Sequence, residues 1–312
     1  MESLIIATNA VIPFMVYIAV GIIARKAGWV KETFLRELNS VLFKVFFPFI
    51  MFNNLYKVDF STLNGAGYVL FAFVGTLIII GLVFFLVPLF EKDNKRKPVI
   101  MQVFYRSNAV LFAIPLSASV LGEAASVKAS IIVAFLVPLY NVSAVFLLEY
   151  FRGGSVSFKH LMINVLKTPL IVGAIAGVVF NMLPITMPQC LASPIAQLSN
   201  LATPMALFVL GGTLHFSDVR KNAIPLLVGT IGKLIVLPAV MITLMVMMKY
   251  EPAELFAVFC LYATPVAAAS FPMAQSMGAD SDLAGEYVVV TTLVSIVTIF
   301  VWILILRGFA LI

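Results

Sequence analysis

The chain has 312 residues, 62% of them hydrophobic and only 11% charged, with mean hydropathy +1.10 and a formal net charge of +6. This balance excludes a soluble globular domain and points to an all-α integral membrane protein. Two cysteines, Cys190 and Cys260, form no spaced motif and exclude a disulfide framework.

Apolar stretches predict ten membrane-spanning helices, over 5–24, 37–56, 65–90, 98–121, 127–149, 168–187, 194–214, 222–249, 254–277 and 284–307. The first follows Glu2 rather than a basic segment and precedes no small-residue cleavage site, so it reads as a retained helix. The second carries Lys44, a break at Pro48, and then Asn53 and Asn54. The fourth holds Tyr105-Arg106-Ser107-Asn108 seven residues before Pro115, and the fifth holds Asn141. The seventh has Pro204 ahead of Gly211 and Gly212, and the eighth has Lys233 near its middle. The ninth holds Tyr262-Ala263-Thr264-Pro265 seven residues before Pro272, with Gln275 beyond.

Basic residues are distributed unevenly over the connections. Thirteen of the 20 Lys and Arg residues follow the first, third, fifth and seventh spans. The positive-inside rule therefore places those loops in the cytoplasm, both termini outside, and the protein in the cell (inner or plasma) membrane as a multi-pass chain. Topology alone accounts for the basic clusters, and nucleic-acid binding is not expected; membrane lipid is the surrounding partner.

The two halves repeat each other. Pro48, Phe60 and Ser61 recur 156 residues later as Pro204, Phe216 and Ser217, while Tyr105, Pro115 and Ser119 recur 157 residues later as Tyr262, Pro272 and Ser276. Five spans per half is an odd number, so the repeats, 1–151 and 168–312, are inverted in topology, with 152–167 as a cytoplasmic connector. Irregular segments at matching places in inverted repeats mark a transport site.

Chemistry must come from polar groups within the spans. Proline removes an amide donor and leaves backbone carbonyls that hydrocarbon cannot satisfy, so Pro48, Pro115, Pro204 and Pro272 are expected helix breaks. If the fourth and ninth helices unwind and cross, two half-helix N-termini meet at one spot suited to a carboxylate, with Asn108 and Thr264 as side-chain donors. Ordinary kinks and interhelical hydrogen bonds are the alternative. Lys44 reads as a snorkelling residue; for Arg106, snorkelling and anion attraction both stand. Lys233 reads as a fixed cation behind the crossing or a titratable group. Gln275 and Asn141 either line the site or satisfy buried backbone. Asn53, Asn54, Gly211 and Gly212 read as packing residues. No Asp or Glu lies in the middle of a span, which disfavours a cation antiporter or proton pump, and His160 and His215 lack ligand partners. No cofactor or metal is expected, and no enzyme chemistry.

Ten spans, a basic connector, and the segments RSNAVLFAIPL and ATPVAAASFPM, together with VIPFMVYIAVGIIARKAGWV and LNSVLFKVFFPFIMF, resemble the auxin efflux carrier family over essentially the whole length. Plant PIN-formed auxin exporters and bacterial malate and malonate permeases belong to it. The resemblance implies two inverted five-helix repeats with crossing fourth and ninth helices, as in bile-acid carriers. It places the crossover at Asn108 and Pro265. It also implies a scaffold of spans 1, 2, 6 and 7, a moving transport domain of spans 3–5 and 8–10, and a homodimer through the scaffold. Ser107 and Ala109 flank Asn108 where plant members have a proline, which favours a bacterial-type permease over an auxin exporter. The expected function is secondary transport of a small organic anion, a dicarboxylate such as malate or malonate or an auxin-like monocarboxylate, by elevator-type alternating access. Ser107, Asn108, Thr264, Pro265, Arg106, Lys233, Gln275 and Asn141 are the candidate binding residues. A sodium-coupled bile-acid-type carrier and a non-pumping anion sensor or channel are the alternatives.

Overall fold

The computed structural model describes residues 2–57, 67–153, 158–183, 187–213 and 221–312. All regular elements among them are helices, because a chain in hydrocarbon must satisfy its backbone internally. They are α1 (Glu2–Lys26), α2 (Glu32–Tyr56), α3 (Gly67–Phe90), α4 (Lys97–Tyr105), α5 (Ala109–Leu121), α6 (Glu123–Phe151), α7 (Phe158–Lys167), α8 (Pro169–Met182), α9 (Gln189–Thr213), α10 (Ala223–Met247), α11 (Pro252–Ala263), α12 (Ser270–Ser276) and α13 (Ser281–Gly308). Six of them, α2, α3, α6, α9, α10 and α13, are continuous rods long and apolar enough to cross a membrane. The expected fourth and ninth spans fall on helices in two pieces, α4/α5 and α11/α12; the first falls on α1, the sixth on α8, and α7 lies within the expected connector 152–167.

Proline acts differently at each site. The expected breaks at Pro48 and Pro204 are not breaks: α2 and α9 run on through both residues. Ahead of Pro48 the helix instead widens into a π turn, Leu42–Phe46, and α10 does the same over Gly232–Val236 ahead of Pro238. Widening lets the ring pass the carbonyl four residues back at lower cost than opening the backbone to lipid. In α10 that carbonyl belongs to Leu234, and it accepts a hydrogen bond from Trp302 Nε1 of α13 at 2.9 Å.

The two closest helix pairs are related by the internal repeat. α1 packs on α9 and α2 on α8 through glycines that admit the opposing backbone. A Cβ built on Gly21 would lie 2.0 Å from Phe208 O, and one built on Gly177 would lie 2.7 Å from Phe52 O. Both Gly21 to Gly177 and Phe52 to Phe208 are steps of 156 residues, the offset read from the sequence. Small residues are the natural seam between membrane helices, because only close approach of backbones rewards association in lipid.

The outer ends of the broken helices are anchored. At the start of α4, Arg96 donates to Asn222 Oδ1 at 2.9 Å and faces Glu91 and Asp280, while Asp280 N donates to Lys95 O. At the start of α11, Glu251 and Glu254 form a capping box and both carboxylates pair with Lys128 of α6, at 3.2 and 3.0 Å. The repeat matches at Phe60, Ser61, Phe216 and Ser217, the residue His215, the His160 side chain, and connector residues 154–157 lie outside the described residues.

Candidate functional site

Both breaks fall a few residues before the prolines expected to cause them. α4 ends at Tyr105, and Arg106 takes an extended conformation (φ −90°, ψ 126°) before α5 begins at Ala109. α11 ends at Ala263, Thr264 is extended (φ −77°, ψ 153°), and a turn over 267–269 precedes α12. Pro115 lies inside α5, where it frees one carbonyl of the half-helix, and Pro272 is the third residue of α12, where its missing amide is one the helix start leaves unpaired anyway, so neither opens the gap itself. The gaps touch: Asn108 N donates to Pro265 O at 2.8 Å. Proline has no amide to return the bond, and Val266 N donates to Thr291 Oγ1 of α13 instead, at 3.1 Å.

Arg106 is buried at this crossing, 1% exposed, and surrounded by neutral acceptors. Its Nη1 donates to Gln102 Oε1 at 2.8 Å and Ser270 Oγ at 3.4 Å; its Nη2 donates to Asn141 Oδ1 at 2.6 Å and lies 3.0 Å from Met273 Sδ. The amide groups of Gln102 and Asn141 are turned by their own bonds to Pro98 O and Val137 O, which aims their oxygens at the guanidinium. Lys233, fully buried in the π turn of α10, donates its Nζ to Ser107 Oγ. No hydrogen bond or ion pair joins either cation to a carboxylate among the described residues. An uncompensated cation in a membrane interior costs several kcal/mol, on the order of 3.

A cavity of about 810 Å³ opens beside the crossing. Arg106, Ser107 and Asn108 form its floor with Tyr140 and Asn141 of α6 and the 267–269 turn. Its opposite wall is α1, α2, α8 and α9, including Asn53, Asn54, Asn200 and Thr203. From mid-membrane the walls run along the last turns of α2 and along α5, so the cavity opens toward the side where those helices end. Toward the other side, Asn39 Nδ2 of α2 donates to Pro272 O and Ser276 Oγ of α12, at 3.2 and 3.1 Å, and closes the same cleft.

Placement of the expected residues is uneven. Ser107, Asn108, Arg106 and Asn141 meet at the floor, joined by Pro115 and Pro204 on the walls. Thr264 does not face the cavity; it is fully buried and its hydroxyl returns to Leu261 O. Pro265 serves through its carbonyl at the crossing, Lys233 lies behind the floor, and Gln275, Pro48 and Pro272 are away from the cavity. Nor do the two half-helix N-termini match, since α5 has 13 residues and α12 only 7. Asn141 does both things weighed for it, lining the cavity and bonding backbone. Asn53 and Asn54, expected to pack, line the cavity. Lys44 is exposed on α2, as snorkelling requires. Sequence reasoning missed Gln102, Ser270 and Tyr140; Gln102 was within reach, being four residues before Arg106 on one helix face. The Nδ2 of Asn108 is buried and has no hydrogen-bond partner, while the Tyr140 hydroxyl is buried beside Ser107 and Thr76.

A multi-pass helical chain built on an inverted repeat, with two broken helices crossing at a polar cavity, is a membrane transport protein in architecture. Residues 6–303 match the family model described as Membrane transport protein, and the chain belongs to that family, the one its sequence resembles. It is 25% identical over 301 residues, covering 94% of this chain and 93% of the relative, to a Rhizobium meliloti (strain 1021) protein named "Putative malonate transporter". Its fold is similar to that of the sodium proton antiporter MjNhaP1 from Methanocaldococcus jannaschii, with TM-score 0.69, 14% identity, and coverage of 96% of this chain and 97% of the other.

Proposed function

We propose that the protein is a secondary carrier of a small organic anion, with a short dicarboxylate such as malonate or malate as its substrate. The carrying observation is the cavity floor: Arg106 without a carboxylate partner and Asn108 with an unpartnered amide, in a cavity lined by no Asp or Glu among the described residues. Such a floor is electropositive and rich in donors, which suits a carboxylate and repels a bare cation. The name of the Rhizobium meliloti relative agrees with this substrate class.

In this reading α1, α2, α7, α8 and α9 form the scaffold and the remaining helices the transport domain, with the cavity and the Asn39 contacts both on the seam between them. Sliding of the transport domain would break the Asn39 bonds and expose the crossing on the opposite side, which is alternating access of the elevator kind. The basic loops put the present opening on the extracytoplasmic side. The test is purified protein in liposomes, with flux of labelled malonate, malate and indole-3-acetate under imposed proton and sodium gradients. Saturable, concentrative flux of a dicarboxylate is expected. Dissipative flux that never exceeds equilibrium would replace the carrier by a channel, and strict sodium dependence would replace it by the bile-acid-type carrier.

A further inference from the structure

Lys233 never reaches the cavity, yet its hydrogen-bond partner Ser107 lines it. We infer that Lys233 is a positioning residue: it fixes the Ser107 hydroxyl as a donor, so that this part of the floor favours ligand groups that accept over groups that must donate. The inference rests on the organic-anion reading of the cavity and deepens it.

The argument is one of donor and acceptor inventory. An ammonium has three donors and no lone pair, whereas a serine hydroxyl has one donor and two acceptor positions. With Lys233 donating into Oγ from behind, the serine's single proton points elsewhere. Two destinations lie on its open side, the cavity and the Tyr140 hydroxyl, which is buried close to Ser107 and Thr76. Tyr140 has an acceptor of its own in Thr76, whose proton goes to Tyr262 because Tyr262 gives its proton to Ala72 O. A carboxylate in the cavity competes with the neutral Tyr140 oxygen for the Ser107 proton and, being charged, is the stronger acceptor.

Much of the floor has the same polarity. Arg106 is donor-only and the first amides of α5 have no helical acceptor, while Asn108 brings both a donor Nδ2 and an acceptor Oδ1. The positive charge of Lys233 is thereby felt in the cavity through one hydroxyl, while the ammonium itself stays out of the ligand's reach. A carboxylate accepts at both oxygens and suits such a floor; a carboxamide of the same size brings an NH2 that meets donors at Arg106 and Ser107.

Malonate and its monoamide, malonamate, are the probes, in binding and uptake by the purified full chain. Wild type should prefer malonate by about tenfold or more, since leaving buried polar groups mispaired is what discriminates strongly between isosteres. Lys233→Met should cut that preference by about tenfold, Ser107→Ala should do the same, and the double variant should lose no more than either alone. Lys233→Arg, which keeps a donor-only cation, should restore it. Equal weakening of both ligands by Lys233→Met, or additive losses in the double variant, would overturn the inference. If Lys233→Met does not insert, Ser107→Ala decides alone, and an unchanged preference sinks the idea. A thermal-unfolding cycle over the same variants needs no ligand: additive changes overturn the Lys233–Ser107 link whatever the substrate. Coupled changes in a protein that ignores malonate would support the link and remove only the dicarboxylate reading.

Discussion

At the residue scale, burial without a charge partner separates the cation proposed to serve the substrate from the structural ones. Arg96 and Lys128 sit among carboxylates and hold helix ends, whereas Arg106 has only neutral oxygens and a thioether around it. Its planar fork serves Gln102 and Ser270 with one nitrogen and Asn141 and Met273 with the other. A lysine cannot occupy both positions, so Arg106→Lys is expected to lower dicarboxylate uptake at least tenfold while the protein still inserts. Labelled flux at matched membrane levels measures this, and retention of wild-type flux would show that charge alone is enough. In the proposed reading Asn108 gives its unpartnered amide to the ligand, so Asn108→Ala should weaken substrate affinity by about 1–2 kcal/mol, roughly tenfold, with little change in unfolding temperature. Arg106, Asn108 and Asn141 were legible in the sequence because a polar group inside an apolar span needs a reason. Tyr140 was not, because a tyrosine among aromatic and apolar neighbours gives no sign of whether its hydroxyl meets protein or cavity.

Among the elements, the seams between helices are set by what can come closest. Gly211 meets the Ile18 backbone, with a built Cβ 2.0 Å from Ile18 O, whereas Gly212 meets the end of the Leu35 side chain at 2.6 Å. Backbone cannot step aside and a leucine tip can, so Gly211→Ala should lower stability by about 1–3 kcal/mol and Gly212→Ala by clearly less. Gly177→Ala, against Phe52 O, should resemble Gly211→Ala rather than Gly212→Ala; thermal unfolding in one detergent ranks the three. The carbonyl freed by Pro238 supplies a second check. Trp302→Phe keeps the packing but leaves Leu234 O without its donor, an expected loss of about 1–3 kcal/mol with substrate affinity unchanged. The prolines themselves were read from sequence as breaks, and only two of the four lie in a broken helix pair. Proline reports a missing amide; whether the chain then widens, as before Pro48, or parts depends on whether protein and cavity, or lipid, receive the freed groups.

For the molecule as a whole, the cavity's direction is a testable property. In a Cys190→Ser background, with the buried Cys260 retained, a cysteine at Asn54 or Ser119 should react with a membrane-impermeant thiol reagent from the extracytoplasmic side. Substrate should slow the reaction at Ser119, whose helix begins at the floor. Labelling of both sites from the cytoplasmic side alone would reverse the orientation taken from the basic loops. The sequence by itself determined the membrane class, the inverted repeat and its 156-residue offset, the two irregular segments, and the family, because hydropathy and spacing are written linearly along the chain. Tertiary structure alone decided that Arg106 rather than Lys233 lines the cavity, that Thr264 turns away from it, and that Asn108 meets Pro265 across the crossing. Those outcomes depend on which side of a helix faces which neighbour after two broken segments 157 residues apart have been brought together. Local spacing says where the backbone opens, and packing decides which polar group is left facing the opening.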